Sequence, residues 1–314
     1  MISIISTIKK FNFHRLLFIC FSLFTFFNLF NSSLSKGEEL KAESPTPKEI
    51  MKKVFNRNEG KSSYVSNILL SCQFEVVKQK NKSKKKCSSP PRIKEFKSIA
   101  IEIKKDKIDA KSLSLIKKPA SEKGLGFMQV DYIEEGKSSD QWMFLPALKK
   151  TKRVVGDEDG PKTGSFFGSE ISYEDIEKHH ENDFNYKLVK EDKVKNTPTW
   201  VIEMTPNAKK AKTRSYGKSI SWISKNSYIV LKTENYDKRG FLLKTFKQSK
   251  VEKINGVWIA KRMIVINHQK SRMSMLKLKS VLINPKFSED LISLRALKDE
   301  TFLESELQKI YGQR

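Results

Sequence analysis

Apolar and polar residues alternate with a period of two along most of the chain, which is typical of β-strands with one buried face. Trp200, Ile202 and Met204, for example, would lie on one face of a strand, with Glu203 on the other. Asn255-Gly256, between two such runs, is a strong signal for a type I′ hairpin. The pattern predicts about ten to eleven strands linked mainly by short turns. They include residues 66–77, 96–103, 127–132, 141–146, 151–155, 241–251, 257–266 and 275–283.

The predicted strands follow one another without the alternating helices that a parallel sheet requires. We therefore expect one long antiparallel meander that curls and needs something to fill its concave face. A helix is predicted in front of the strands, where Thr46 is a suitable N-cap, Pro47 suits the first position and Glu49 completes a capping box. A short helix at 289–297 and an amphipathic tail at 298–314 are predicted after the last strand. The first helix carries an apolar stripe of Ile50, Met51, Val54 and Phe55.

The N-terminal segment has the order of a secretory signal peptide. Three cationic residues precede an apolar run over residues 16–30, and Ser33-Leu34-Ser35 offers small residues for cleavage. The alternative is an uncleaved anchor, but the run is shorter than the roughly 20 apolar residues of a transmembrane helix. We therefore expect cleavage near Ser35 and export. The expected division of the chain is a signal peptide at 1–35, a polar leader at 36–45, one folded domain at 46–297 and the tail at 298–314.

The 314 residues include 61 Lys and Arg against 36 Asp and Glu, which gives a formal net charge of +25. In an exported protein, this charge favours phospholipid head groups, lipopolysaccharide or acidic protein surfaces over nucleic acid. The alternative is a general preference for lysine without any partner, because most lysines are spread along the chain. Peripheral contact with an anionic membrane surface therefore stays open beside that alternative, and we expect no binding of nucleic acid.

Two cysteines, Cys72 and Cys87, remain after the expected cleavage. An even pair in an oxidising compartment favours a disulfide, and the alternative is two free thiols. A bond between them would close a loop of about 15 residues, which contributes on the order of 3 kcal/mol in the chain-entropy model.

The chain lacks the short motifs that mark the common enzyme classes, such as a G-x-S-x-G elbow, H-E-x-x-H or a phosphate-binding glycine loop. His179 and His180 are adjacent, so on a helix their side chains would point about 100° apart. We expect them to be solvated residues near a helix end. The sequence predicts no enzyme, no cofactor and no metal site.

Residues 140–175 contain the most informative motif. A strand end of the pattern Trp-x-aromatic-Leu-Pro-Ala-Leu is followed by Gly-Ser-Phe-aromatic-Gly-Ser and then by Ser-Tyr-Glu-Asp. These positions are Trp142, Phe144, Leu145, Pro146, Ala147, Leu148, then Gly164, Ser165, Phe166, Phe167, Gly168, Ser169, then Ser172, Tyr173, Glu174 and Asp175. A second motif, in a hairpin, consists of Tyr236, Asp237, Gly240, Leu242, Lys244 and Phe246.

With these motifs, the chain from about 46 to 297 resembles the outer membrane lipoprotein-sorting protein family, relatives of the LolA and LolB carriers that are often associated with RND-type permeases. The basic segment 78–95 departs from the family pattern. The resemblance implies an unclosed antiparallel β-barrel whose helices form a lid over an apolar cavity. It also implies a periplasmic carrier that shields acyl chains of a lipid or lipoprotein on the way to the outer membrane, with an RND-type permease as partner.

Two alternatives to the carrier hypothesis stay open. One is a non-catalytic adaptor or binding subunit of such a permease, and the other is an enzyme with an unrecognised site. The candidate lining of the cavity is Trp142, Phe144, Trp200, Ile202, Met204 and Trp222, although an ordinary sheet core would account for the same residues. The loop of Gly164, Ser165, Phe166, Phe167 and Gly168 is a candidate docking or gating loop, or else a plug over one end of the sheet.

Overall fold

Fourteen antiparallel strands form a single sheet in the computed structural model, which describes residues 44–79, 82–156 and 160–311. The strands are β1 Ser62–Gln79, β2 Lys82–Cys87, β3 Arg92–Lys105, β4 Ile108–Lys118, β5 Gly126–Tyr132, β6 Asp140–Leu145, β7 Lys150–Arg153, β8 Phe184–Val194, β9 Thr197–Pro206, β10 Tyr216–Ser224, β11 Val230–Asp237, β12 Leu242–Ile254, β13 Val257–Asn267 and β14 Arg272–Ile283. The predicted signal peptide and its cleavage site lie outside the described residues.

The strand order is β7-β6-β5-β4-β3-β1-β14-β13-β12-β11-β10-β9-β8, and β2 pairs only with β1. The outermost strands β7 and β8 do not pair with each other, so the prediction of an unclosed antiparallel sheet is confirmed. The prediction of one continuous meander is corrected, because β1 pairs with the last strand, β14, and so joins two meanders.

The prediction of ten to eleven strands missed β2, β4 and β8. β2 reads KSKKKC and most of β8 is exposed, so neither shows the apolar alternation on which the prediction depended. A strand that carries mainly lysine, such as β2, gives no period-two signal, and here its single neighbour β1 holds it in place.

Within the described residues, four short α-helices accompany the sheet: α1 Pro47–Phe55, α2 Ala208–Lys212, α3 Leu294–Lys298 and α4 Glu300–Tyr311. The capping box of α1 is present, since the Glu49 amide donates to Thr46 Oγ1 and the Thr46 amide donates to Glu49 Oε2. The predicted short helix at 289–297 is divided into a 3-10 turn and α3. The C-terminal segment packs on the sheet through α4, in which Leu303 and Leu307 are buried.

The register defines two faces, because directly paired residues point to the same side of a sheet. We call one the front face. One of its rows crosses the sheet from β9 to β1 through Ile202, Ser221, Thr233, Phe246, Val265, Ser274 and Ser71. The other is the back face, with the neighbouring row Val201, Trp222, Lys232, Lys247, Ile264, Met275 and Leu70.

Candidate functional site

The front face is covered at its β8–β10 end by helix α1. Ile50 and Met51 of this helix are buried against Trp200, Ile202 and Ile223. The apolar stripe predicted for α1 therefore has a partner, and the sheet beneath it is filled by protein. Ile202 is fully buried, which leaves no space for a ligand at that point.

A second cover lies over the β1, β3 and β5 part of the front face. It is the aromatic loop, which we define as residues 164–176. Phe166 and Phe167 are only 7% and 5% exposed and pack edge-on against Phe96. The Phe127 ring stacks on Tyr173 at 5.6 Å. The aromatic side chains of the loop thus point into the sheet and not into solvent.

The backbone of the aromatic loop needs glycine at two points. Gly168 has a φ of +73°, which L-residues with a side chain rarely adopt. A Cβ on Gly164 would lie 2.6 Å from the Tyr173 ring. Both glycines of the motif therefore let the loop fold closely over its own aromatic side chains.

Buried ion pairs hold the aromatic loop on the sheet. Lys244 Nζ lies 2.9 Å from Asp175 Oδ2, and the two side chains are 9% and 3% exposed. The Tyr216 hydroxyl donates to the other carboxylate oxygen at 2.7 Å. Nearby, Glu170 Oε1 accepts from Arg272 Nε at 2.6 Å. The loop is thus fixed by charge-assisted hydrogen bonds, which are stronger than neutral ones.

Glu174 adds a titratable group beneath the same loop. Burial raises the pKa of its carboxyl, although hydrogen bonds from the hydroxyl and amide of Ser215 act in the opposite direction. A carboxyl of this kind makes the attachment of the loop sensitive to pH.

From the edge of the aromatic loop towards α1, the front face carries apolar side chains that are only half-buried, and three of them (Phe246, Met263 and Leu276) pack against the aromatic cluster of the loop. We call them the central strip, and they lie on the neighbouring strands β1, β12, β13 and β14. The central strip consists of Val65, Phe246, Ile259, Met263, Leu276 and Leu278.

One end of the central strip opens into a cavity of about 220 Å³. Val65, Ile259 and Leu278 contribute to its wall. Arg57 lies at its margin, where its guanidinium donates to the Trp258 carbonyl at 2.8 Å and pairs with Glu59. The cavity is smaller than the usual 300–1,000 Å³ of small-molecule sites, so it has room for part of a chain-like ligand.

The six predicted lining residues divide between the faces. Trp200, Ile202 and Met204 lie on the front face, close to α1. Trp142 and Phe144 lie on the back face, where they pack against a cluster that includes buried leucines of α3 and α4. The structure therefore does not bring the two groups together.

Trp222 also lies on the back face, because it pairs with Val201 and not with Trp200. Its indole nitrogen donates to Asp192 Oδ2 at 3.1 Å, and Lys232 Nζ lies 3.8 Å from the ring centroid. The Lys193 amide, the indole and Lys190 together lower the pKa of Asp192 to about 2. Trp222 is thus a buried back-face side chain with polar partners and not part of an apolar cavity lining.

Sequence reasoning missed most of the central strip. Only Phe246 belonged to a recognised motif, and the pairing of β1 with β14 that assembles the strip has no local sequence signal.

The disulfide between Cys72 and Cys87 is confirmed, with Cα atoms 5.7 Å apart.

His180 is the N-cap of the 3-10 turn Glu181–Asp183 and His179 precedes it, so both lie near a helical end as expected, but they are half-buried and not solvated, which corrects that part of the expectation. Arg214 Nη1 donates to His179 Nε2 at 2.6 Å. Burial and the charge of Arg214 lower the pKa of His179 well below its usual value.

Within residues 44–79, 82–156 and 160–311, no group of His, Cys, Asp and Glu side chains has the arrangement of a metal site. Across the same described ranges, no helix is long and apolar enough to span a membrane.

An unclosed antiparallel sheet with a helix and a loop over one face is a carrier-like fold of the lipoprotein-sorting type. The chain belongs to a family whose model matches residues 108–299, more than half of its length, and carries the description "-like: Uncharacterized protein". No curated protein matches the chain in sequence.

Three solved structures are similar to this chain. A domain from Vibrio parahaemolyticus, named provisionally as an outer membrane lipoprotein-sorting protein, is 25% identical with a TM-score of 0.68, over 81% of this chain and 98% of that one. A DUF1329 family protein from Desulfovibrio piger is 22% identical with a TM-score of 0.69, over 80% and 97%. A LolA superfamily protein from Nitrosomonas europaea is 17% identical with a TM-score of 0.55, over 81% and 100%. The resemblance to outer membrane lipoprotein-sorting proteins is confirmed, the fold is shared with the LolA superfamily protein, and none of the three names is that of an enzyme.

Proposed function

We propose that the protein is a periplasmic carrier that holds acyl chains of a lipid or lipoprotein against the central strip. The observation that carries this proposal is a half-buried apolar surface between two covers on one face of a lipoprotein-sorting fold. Each buried methylene contributes about 0.8 kcal/mol. A strip six side chains long therefore offers enough apolar contact to keep part of an acyl chain out of water.

The proposal includes the route. The N-terminal segment directs export, cleavage occurs near Ser35, and the cargo travels towards the outer membrane. The Cys72–Cys87 disulfide agrees with an oxidising compartment. An RND-type permease is the proposed donor, and release of the cargo requires only a competing site of higher affinity.

Two methionines on neighbouring strands provide a matched test. Met263 lies on the front face in the central strip, whereas Met275 lies on the back face, and both are half-buried. Glutamine has a similar shape but brings an amide that costs roughly 1–3 kcal/mol to bury without a partner. Met263→Gln should therefore weaken binding of a fluorescent fatty acid about tenfold, and Met275→Gln should leave it unchanged.

The same comparison includes lipid extraction and mass spectrometry of the protein purified from its own cells. The wild type and Met275→Gln should carry lipid, and Met263→Gln should carry less, with similar melting temperatures for all three. Equal lipid content in the two variants would contradict the assignment of the central strip.

The second candidate function is a permease adaptor that carries no lipid. It is favoured by the complete filling of the front face beneath α1, where Ile50 and Ile202 are fully buried. A wild-type protein that is purified without lipid and binds no fatty acid would support this candidate over the carrier.

A further inference from the structure

A lysine-rich, positively charged hairpin extends beyond the rest of the sheet. β1 extends beyond the residues that pair with β3 and β14. Its last residues pair only with β2, beginning with the pair Phe74 and Cys87. The Cys72–Cys87 disulfide closes the base of the hairpin. The Phe74 amide also donates to the Ser271 carbonyl at 2.9 Å. The base of the hairpin is therefore tied to the domain by a covalent bond and a backbone hydrogen bond.

The hairpin concentrates positive charge. Lys78, Lys84, Lys85 and Lys86 are exposed, and Glu75 is the carboxylate on the described part of the hairpin. Within the described portion of the chain, none of the four lysines forms an ion pair. Lys85 Nζ lies 5.2 Å from the centroid of the Phe74 ring, which leaves its charge at the surface.

Exposed apolar side chains accompany this charge. Val76 is 56% exposed and pairs with Lys85, and Ile93 is 54% exposed and pairs with Leu70. Val76 lies six residues after Leu70 on β1, and side chains an even number of residues apart point to the same side of a strand. Val76, its partner Lys85 and the Leu70 partner Ile93 therefore all lie on the back-face side. The hairpin thus presents cationic and apolar groups on one surface.

Protection of the sheet edge explains only part of this arrangement. β2 has one neighbour, and lysines on an edge strand prevent pairing with other molecules. Lys84 and Lys86 lie on one side of β2 and Lys85 on the other, while Val76 and Ile93 are apolar and exposed. An edge that only has to be protected gains nothing from exposed apolar side chains, whereas a membrane surface attracts both kinds of group.

We propose that the disulfide-closed hairpin docks the protein on an anionic phospholipid surface. Lys78 and Lys85 lie on the same side as Val76 and Ile93 and face the head groups while the two apolar side chains enter the interfacial layer, and Lys84 and Lys86 add charge from the other side of the hairpin. A lysine close to such a surface contributes about fivefold in affinity. The attraction is screened beyond about 8 Å at physiological ionic strength, so docking is reversible and depends on salt. This inference does not require that the central strip bind acyl chains.

The test is sedimentation of the full chain, as isolated from cells, with two kinds of vesicle: phosphatidylcholine alone, and phosphatidylcholine with phosphatidylglycerol. The hairpin variant replaces all four lysines (Lys78, Lys84, Lys85 and Lys86) with Gln. The control variant makes the same change at the exposed Lys150, Lys152, Lys193 and Lys238, so the two have equal net charge.

The wild type and the control variant should bind the anionic vesicles and not the neutral ones. The hairpin variant should bind about 25-fold or more weakly, from the fivefold contribution of each of the two lysines that face the head groups, Lys78 and Lys85. Val76→Ser should weaken binding a further few-fold without changing its dependence on salt, since it removes no charge.

Equal binding by the hairpin and control variants would overturn the inference. So would a hairpin variant that aggregates while still binding anionic vesicles, because its lysines would then serve only to protect the edge. The lipid content of the same preparations, measured by mass spectrometry, separates this result from the carrier proposal, since a variant that loses docking should keep its acyl cargo.

Discussion

Asp175 is the residue whose replacement should most weaken the attachment of the aromatic loop. Its carboxylate accepts hydrogen bonds from the Ser172 amide, the Ser172 hydroxyl, Lys244 Nζ and the Tyr216 hydroxyl, all between 2.6 and 2.9 Å. Asparagine has one acceptor oxygen and no charge. Asp175→Asn therefore leaves the ammonium group of Lys244 without its counter-ion in a buried site.

Removing one partner of a buried ion pair costs about 3–5 kcal/mol, because the remaining charge has been taken out of water without compensation. The side chains of Asp175 and Lys244 are 3% and 9% exposed, so solvent screens them little. We expect Asp175→Asn to lower the free energy of unfolding by that amount. The double variant Asp175→Asn with Lys244→Met should lose less than the sum of the two single variants, since it also removes the uncompensated charge.

Urea unfolding measures these differences through the midpoint, provided that the slope stays constant. The control is Glu252→Gln, which removes an ion pair of similar length, 3.0 Å to Lys261, with side chains 46% and 32% exposed. A pair this exposed contributes up to about 1 kcal/mol. A loss for Asp175→Asn no larger than that of the control, or strict additivity in the double variant, would refute the reasoning.

Three further results are expected. Reduction of the Cys72–Cys87 disulfide, checked by alkylation and calorimetry, should lower the melting temperature through a loss of about 3 kcal/mol, and free thiols before reduction would contradict it. The buried carboxyl of Glu174 has a raised pKa, so the folded state binds this proton more tightly than the unfolded state does. The wild type should therefore lose stability as the pH rises from below the ordinary pKa of a glutamate through the raised pKa of Glu174. Glu174→Gln should lack this loss when the free energy of unfolding is measured by urea titration at several pH values. The same pH dependence of stability in the wild type and the variant would contradict the raised pKa of Glu174. N-terminal sequencing of the exported protein should begin at or near Lys36, whereas Met1 in a membrane fraction would exclude cleavage.

Local signals in the sequence predicted the local features well. The capping box of α1 depends on residues three positions apart, and the Asn255-Gly256 turn depends on two, so both could be inferred directly. The face that each side chain occupies within a strand also follows from alternation. Trp200 and Ile202 were therefore correctly grouped, and they lie together beneath α1.

The relation between strands could not be predicted in this way. Trp222 alternates as regularly as Trp200, yet pairing with Val201 places it on the back face. A shift of one residue in the register would have placed it on the front face. Trp142 shows the same limit, because it is the register of β6 against β5 that directs its ring towards the α3 and α4 side.

The pairing of β1 with β14 explains why the central strip exists. Helix α1 covers the β8–β10 part of the front face, whereas the aromatic loop packs over β1, β3 and β5 and is also bound to β10, β12 and β14 of the other meander. The strands around the β1–β14 pairing lie beside both covers. Val65 on β1 and Leu278 on β14 lie there, half-buried, beside a cavity of about 220 Å³. A wider opening for cargo would therefore come from displacing either cover, and the loop held by Asp175 is the one whose attachment a single substitution can weaken.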